Sequence, residues 1–327
     1  VMCGVMVALS VVNKVLFRLV LCSVGRYVHA LSTTTNVAYL VYSWATVSVK
    51  FLLGTETQRR ELCEMLRFAR QRVHLFASIG VCESVAFTLM PIGQPGLPKT
   101  LIPVIAQSTL PMSMVLNACL FRRRYCATQM AGVALIIAGI LAATAADPVT
   151  DVGRTPLSEL LCPLAVTTLS YFFLVLSLSL KDVAFTVSAN AGVKLDIFML
   201  EGIAGIGQGI ALLLQWPMNF ALLTDLNPGD YMKAVADAFT SSEGLMPTLI
   251  FLYWASNILY RLATLRALQR LSSLATLLAN VLTVPLSSIV FCLPLGLPLI
   301  GPPDHMTMLL VLGTLVVCLG LVTYKCG

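Results

Sequence analysis

Residues 97–125 read LPKTLIPVIAQSTLPMSMVLNACLFRRRY. From Thr100 to Phe121 this stretch is long enough to cross a bilayer, and its middle carries no charge. Pro111 falls near its centre, where the ring clashes with the carbonyl of Gln107 and supplies no N–H. In hydrocarbon such strained, polar backbone persists only where it faces protein or a water-filled cavity. Arg122, Arg123 and Arg124 then hold one end on the cytosolic side. A second segment, Leu271–Leu293, LSSLATLLANVLTVPLSSIVFCL, repeats the design with Asn280, Pro285, Ser287 and Ser288. Broken helices at matching places in two halves of a chain point to a transporter's binding site.

Composition places the rest of the chain in the same class. Of 327 residues, 58% are hydrophobic and 11% charged, and the mean hydropathy is +0.89, which excludes an ordinary soluble domain. The ten cysteines are scattered with no C-x-x-C pair, so neither a zinc site nor a disulfide framework is indicated. Val1 lies inside an apolar run, which leaves room for a preceding targeting segment.

Ten spans are expected. The first, about Val1–Leu21, carries Asn13, Lys14 and Arg18, with Ser10, Lys14 and Arg18 on one helical stripe. Lys14 either snorkels to the interface or faces a cavity. The second is about Leu31–Leu53, followed by a basic stretch, Thr55–Arg72, read as an amphipathic surface helix. The third, Val73–Ile92, holds Glu83 at mid-depth, a functional candidate by default. Pro91, Gly93, Pro95, Gly96 and Pro98 read as a tight turn into the fourth span. The fifth is Thr128–Ala145.

Residues 1–145 form a first five-helix repeat, 146–158 a polar linker and 159–327 a second repeat. The sixth span is about Glu159–Leu180. The seventh, Ile197–Trp216, places Glu201, Gly205 and Gln208 on one face, and its Gly202, Gly205 and Gly209 read as admitting a neighbouring backbone. The long connection Pro217–Gly244 precedes the eighth span, Leu245–Tyr260, which ends at Asn257 and Arg261. The ninth is the second broken helix, with Thr276, Asn280, Thr283 and Ser287 on one stripe. The tenth is Met306–Tyr324. With ten spans, fifteen Lys and Arg fall on the side shared by both termini and six on the other, which puts the termini in the cytosol. Five spans per half requires inverted repeats. Lys14-Val-Leu-Phe17 against Lys181-Asp-Val-Ala-Phe185 is a further trace of duplication.

No nucleophile elbow, zincin, Walker A or dinucleotide fingerprint occurs, so no enzymatic activity, cofactor or nucleic-acid partner is expected. What remains is an all-α integral membrane bundle, a transporter with polar residues at mid-depth: Asn13, Lys14, Glu83, Gln107, Glu201, Gln208, Asn257 and Asn280. These are the candidate binding residues for a small-molecule substrate, with Glu83 and Glu201 as proton- or cation-responsive carboxylates and no metal site. A nucleotide-sugar or sugar-phosphate exchanger is a rival, set back because no fixed cation stands clear of an interface after the seventh span. A non-transporting membrane scaffold or receptor is another.

The residues resemble the chloroquine-resistance transporter family (CRT-like proteins), within the drug/metabolite transporter superfamily. The first-span SVVNKVLFR with the following VGRY is similar to that family's Asn-Lys segment and Gly-Asn-Tyr continuation. From Glu83 to Pro111, and on through Met114 to Arg124-Tyr125, the acidic residue, the Gln-x-Ser/Thr-x-Pro and the Arg-x-Arg-Tyr keep an ungapped spacing. Asn257 and Leu274–Pro285 are similar with a gap. The resemblance implies ten helices in two inverted repeats around a central cavity lined by Asn13, Lys14, Glu83 and Gln107. It implies export of amphiphilic solutes from an acidic vacuole, or of glutathione and related thiol peptides across plastid envelopes; the expected activity is alternating-access, proton-linked transport of small amphiphilic or cationic solutes, drugs, peptides or such thiol peptides. The parasite members' cysteine pairs before the eighth span have no counterpart in Pro217–Gly244.

The charge sorting predicts that accessibility tags at Arg123 and Asp230 report opposite sides of the membrane. Labelling from the same side would contradict ten spans.

Overall fold

The computed structural model describes residues 2–24, 27–94, 97, 105–106, 108–144, 157–223, 227–240, 245–271, 273–283, 286–287, 290 and 308–326. Those residues form twelve helices: α1 (Met2–Val24), α2 (Val28–Leu53), α3 (Glu56–Gln71), α4 (Val73–Gly93), α5 (Thr109–Phe121), α6 (Ala127–Thr144), α7 (Leu157–Asn190), α8 (Ile197–Leu223), α9 (Pro228–Thr240), α10 (Leu245–Arg270), α11 (Ser273–Val281) and α12 (Met308–Cys326). No strand occurs among them. Among the described residues three helices are long and apolar enough to cross a membrane: α4, the Leu160–Asn190 part of α7 and the Ile197–Pro217 part of α8. Shorter apolar helical stretches are Cys3–Phe17, Thr109–Phe121, Ala127–Ala142 and Val311–Tyr324.

The basic connection forms α3 as expected. Thr55 caps it, its hydroxyl accepting from Gln58 N while the Gln58 side chain accepts from Thr55 N. Its apolar side buries Leu62, Met65, Phe68 and Ala69, and its arginines stay exposed.

Four expectations are corrected. Pro111 is not at mid-helix: α5 begins at Thr109, so the proline occupies the first turn, where its missing N–H removes no helical bond. Pro91 and Gly93 lie inside α4 rather than in a turn. Pro91 leaves the carbonyl of Phe87 without its helical donor, and both residues line the central cavity, where freed backbone is admitted. Pro217 lies inside α8. The sixth and eighth spans run on about ten residues further, to Asn190 and Arg270, which draws Lys181 and Arg261 into helices. Gln107, Pro285, Ser288, Pro95, Gly96, Pro98 and most of the 146–158 linker lie outside the described residues.

α4 packs along both α7 and α8, α8 along α2, and α1 along α10. α5 rests on α7 and α11, α1 also touches α11, and α6 pairs with α12. The approach of α4 to α8 is set by glycine: a Cβ on Gly80 would collide with the backbone O of Ala204 and N of Gln208. The α8 glycines expected to admit a backbone instead receive side chains of α2. Gly202 faces Trp44, Gly205 faces Leu40, and Asn36 Nδ2 donates to Gly205 O at 3.3 Å.

Gly80→Val therefore forces α4 off α8, since the obstructing atoms are backbone. We expect a loss of about 3 kcal/mol, at the upper end of overpacking penalties. Gly4→Val, where a Cβ meets nothing within 4 Å, is the control. Thermal unfolding in detergent separates the two. Equal melting temperatures would refute the close crossing.

Candidate functional site

Seven helices, α1, α2, α4, α7, α8, α10 and α11, enclose a cavity of about 760 Å³. At one part of its wall four ionisable side chains meet, each from a different helix: Glu83 (α4), Lys181 (α7) and Glu201 (α8), all buried, and the half-buried Arg261 (α10). Lys181 Nζ lies 2.7 Å from Glu83 Oε1 and 2.6 Å from Glu201 Oε1. Arg261 completes a ring: Nη2 is 2.5 Å from Glu83 Oε2 and Nε is 2.5 Å from Glu201 Oε2. Each carboxylate touches both cations and each cation both carboxylates, so the ring is neutral. Ser177 Oγ also donates to Glu83 Oε1 at 3.1 Å, and the guanidinium of Arg261 stacks 4.5 Å from the centroid of the Tyr39 ring.

The ring is reached through helical spacing. Ser177 and Lys181 lie one turn apart on α7, as do Asn257 and Arg261 on α10. Glu83, Lys181 and Arg261 line the cavity. Glu201 holds both cations without lining the cavity itself.

A second polar group lies between α1, α10 and α11. Asn13 Nδ2 donates to Asn257 Oδ1 at 3.4 Å, and Ser256 Oγ donates to Asn13 Oδ1 at 3.2 Å. Asn257 Nδ2 donates to Tyr253 OH at 3.1 Å. Ser10 Oγ donates to Asn280 Oδ1 at 3.1 Å. Lys14 Nζ donates to Thr283 Oγ1 at 2.5 Å. Lys14 is therefore directed inward rather than snorkelling, and among the described residues no carboxylate pairs with it. The ninth-span stripe faces inward as well: Thr276, Thr283 and Ser287 are buried, and Thr276 and Asn280 line the cavity.

Three buried acceptors or hydroxyls at the cavity have no hydrogen-bond partner among the described residues: Gln208 Oε1, Asn36 Oδ1 and Thr276 Oγ1. A buried polar atom left unpaired costs roughly 1–3 kcal/mol. Their residues line the cavity wall, but the atoms themselves are covered, so a bound solute or water satisfies them only when the side chains turn. No three His, Cys, Asp or Glu side chains among the described residues come together as a metal-binding group.

Of the eight residues singled out from the sequence, Asn13, Lys14, Glu83, Gln208, Asn257 and Asn280 line this one cavity. Glu201 joins it through Lys181 and Arg261. Gln107 lies outside the described residues. Sequence reasoning missed Lys181 and Arg261, counting both as cations of the connections; they leave that charge tally. The same placement overturns the statement that no fixed cation follows the seventh span. The available signal was their position one turn beyond Ser177 and Asn257, in register with the polar face.

Residues 1–244 match the model of the CRT-like, chloroquine-resistance transporter-like family. The chain is 26% identical to "Protein CLT2, chloroplastic" of Arabidopsis thaliana over 98% of its own length and 74% of the relative's. It is 24% identical to "Protein CLT3, chloroplastic" of the same plant, over 98% and 71%. With "Crt homolog 1" of Dictyostelium discoideum it shares 22% identity over 97% and 72%. The match covers most of the chain and includes Asn13, Lys14, Glu83, Lys181 and Glu201, and on that ground this membrane protein belongs to the CRT-like, chloroquine-resistance transporter-like family.

Proposed function

We propose that the chain is a secondary transporter that moves peptide-sized amphiphilic solutes, thiol peptides such as glutathione among them, by alternating access through this cavity. The observation that carries the reading is the cavity itself. Helices from both halves of the chain close on about 760 Å³ of space, within the ~300–1,000 Å³ range of small-molecule sites. Its wall carries buried polar atoms with no hydrogen-bond partner among the described residues, and Lys14, whose partner there is the hydroxyl of Thr283.

Ten spans in two inverted repeats, residues 1–145 and 159–327, are part of the proposal. The helix contacts support it. Numbering the spans α1, α2, α4, α5, α6 and then α7, α8, α10, α11, α12, a shift of five carries several of the main contacts onto contacts. The α1–α10 contact exchanges with α7–α4, and α1–α11 with α7–α5. The α2–α8, α5–α11 and α6–α12 contacts map onto themselves. Lys14 and Lys181 then occupy corresponding spans, and both reach the cavity. Cytosolic termini and a plastid membrane complete the reading. The latter rests on the chloroplastic relatives, with a vacuole-like membrane as the alternative.

The charge of the wall favours anionic or zwitterionic solutes over cationic ones, because Glu83 is already engaged by two cations. The same cations give a second reading, exchange of a phosphorylated solute. The proton link is proposed for Glu83, the ring carboxylate that lines the cavity. A proton can replace its cations only when the ring opens.

In proteoliposomes we expect pH-gradient-driven uptake of glutathione. Gln208→Leu should cut it at least tenfold with the protein still folded in the membrane. Glu83→Gln should lose gradient-driven accumulation and keep downhill exchange. No flux for any member of a peptide, drug and sugar-phosphate panel would leave a scaffold or receptor as the better reading.

A further inference from the structure

The ring and the cavity together carry an unequal division of charge. Among the described residues lining the cavity, three are cationic, Lys14, Lys181 and Arg261, and one is anionic, Glu83. Glu201 balances Lys181 and Arg261 from behind, out of the cavity. The two carboxylates thus hold the same cations from opposite sides. Only Glu83 stands where a solute would arrive.

We propose that Lys181 and Arg261 form a carboxylate-binding site for the transported solute, and that Glu83 is its internal stand-in, displaced when the solute's carboxylate enters. This rests on the reading of the cavity as the transport site and names the chemistry the site selects. The geometry suits the exchange. Arg261 presents Nη2 to Glu83 and keeps Nε on Glu201, so one N–H changes partner while the other holds the side chain in place. Lys181 likewise keeps Glu201. The stacking of Arg261 on Tyr39 fixes the plane of the guanidinium through the exchange. Glu83 retains Ser177 as a donor when its cations turn to the solute. Glu201 is on this view a positioning residue: it keeps both cations aimed while Glu83 comes and goes.

A second consequence is selection by exclusion. A solute without an anionic group cannot replace Glu83, because freeing the carboxylate would leave Lys181 and Arg261 half-paired inside the bundle. The ring therefore stays shut against neutral and cationic molecules of the same size.

The test uses the full chain in lipid nanodiscs and two probes of almost equal shape: glutathione, with two carboxylates and one ammonium, and its diethyl ester, with both carboxylates masked. Equilibrium binding is measured by calorimetry. The wild-type chain is expected to bind glutathione at least tenfold more tightly than the ester. Glu83→Gln removes the competing carboxylate and should tighten glutathione about tenfold, leaving the ester unchanged. Arg261→Gln should abolish the preference. Glu83→Asp, which keeps the charge on a shorter stem, should fall between wild type and Gln, and it carries the test if the Gln variant fails to fold as judged by its melting curve. Equal affinity for the two probes, binding of neither, or weaker glutathione binding by both position-83 variants would overturn the proposal. Transport in proteoliposomes without a glutathione preference drops the carboxylate site and keeps the transporter. Preference through Arg261 without flux does the reverse.

Discussion

Four charges held together inside the bundle, three of them buried, impose the strictest constraint on it. Moving one ion out of water costs several kcal/mol after relaxation, and a single member of the ring, alone among α4, α7, α8 and α10, could not be carried. The cost is met only because each side chain finds two partners of opposite sign at 2.5–2.7 Å. Each partner lies on a different helix. The rotation and depth of four helices are therefore tied to one another at a single point, and a helix turned by one residue would strand a charge. Glycine supplies the closeness this requires: Gly80 lets α4 approach the backbone of α8 just above Glu83 and Glu201.

From that point the rest of the wall follows. α7, which brings Lys181, also brings the buried Asp182, whose Oδ2 accepts from Ser273 N at the start of α11 at 3.0 Å. A carboxylate at a helix N-terminus meets both the free N–H groups and the positive end of the dipole. Ser273 Oγ in turn donates to Asn117 Oδ1 of α5 at 3.0 Å. The helix that brings Lys181 to the ring thus anchors the two short helices α11 and α5. α10 does the same on the other side, carrying Arg261 to the ring and Asn257 to Asn13 of α1. The cavity is the space left when these polar attachments, rather than apolar packing alone, set the spacing of the helices.

The functional reading depends on asymmetry within this otherwise balanced arrangement. A neutral ring gives no field to attract a charged solute, but Lys14 stands apart from it with a hydroxyl as its partner. Glu83 is accessible from the cavity and Glu201 is not. Two residues of the same type, equally paired, are thereby given different capacities by position alone.

The sequence by itself determined the class of the protein and the inward side of most of its helices. Insertion into hydrocarbon is decided segment by segment, so apolar length, the amphipathic pattern of α3 and the polar stripe of α11 are legible without knowledge of neighbours. Asn13, Glu83, Gln208, Asn257 and Asn280 were readable for the same reason: a polar group within an apolar run must face away from lipid. Lys181 and Arg261 were not. Each stands at the edge of an apolar run, where a cation ordinarily meets water, and nothing local distinguishes an interfacial lysine from a buried one. Pro111 misled in the other direction, since a proline looks central until the start of its helix is known. Tertiary structure decided both, because the partners that make a buried cation tolerable lie up to 178 residues away along the chain, and only packing brings them within reach.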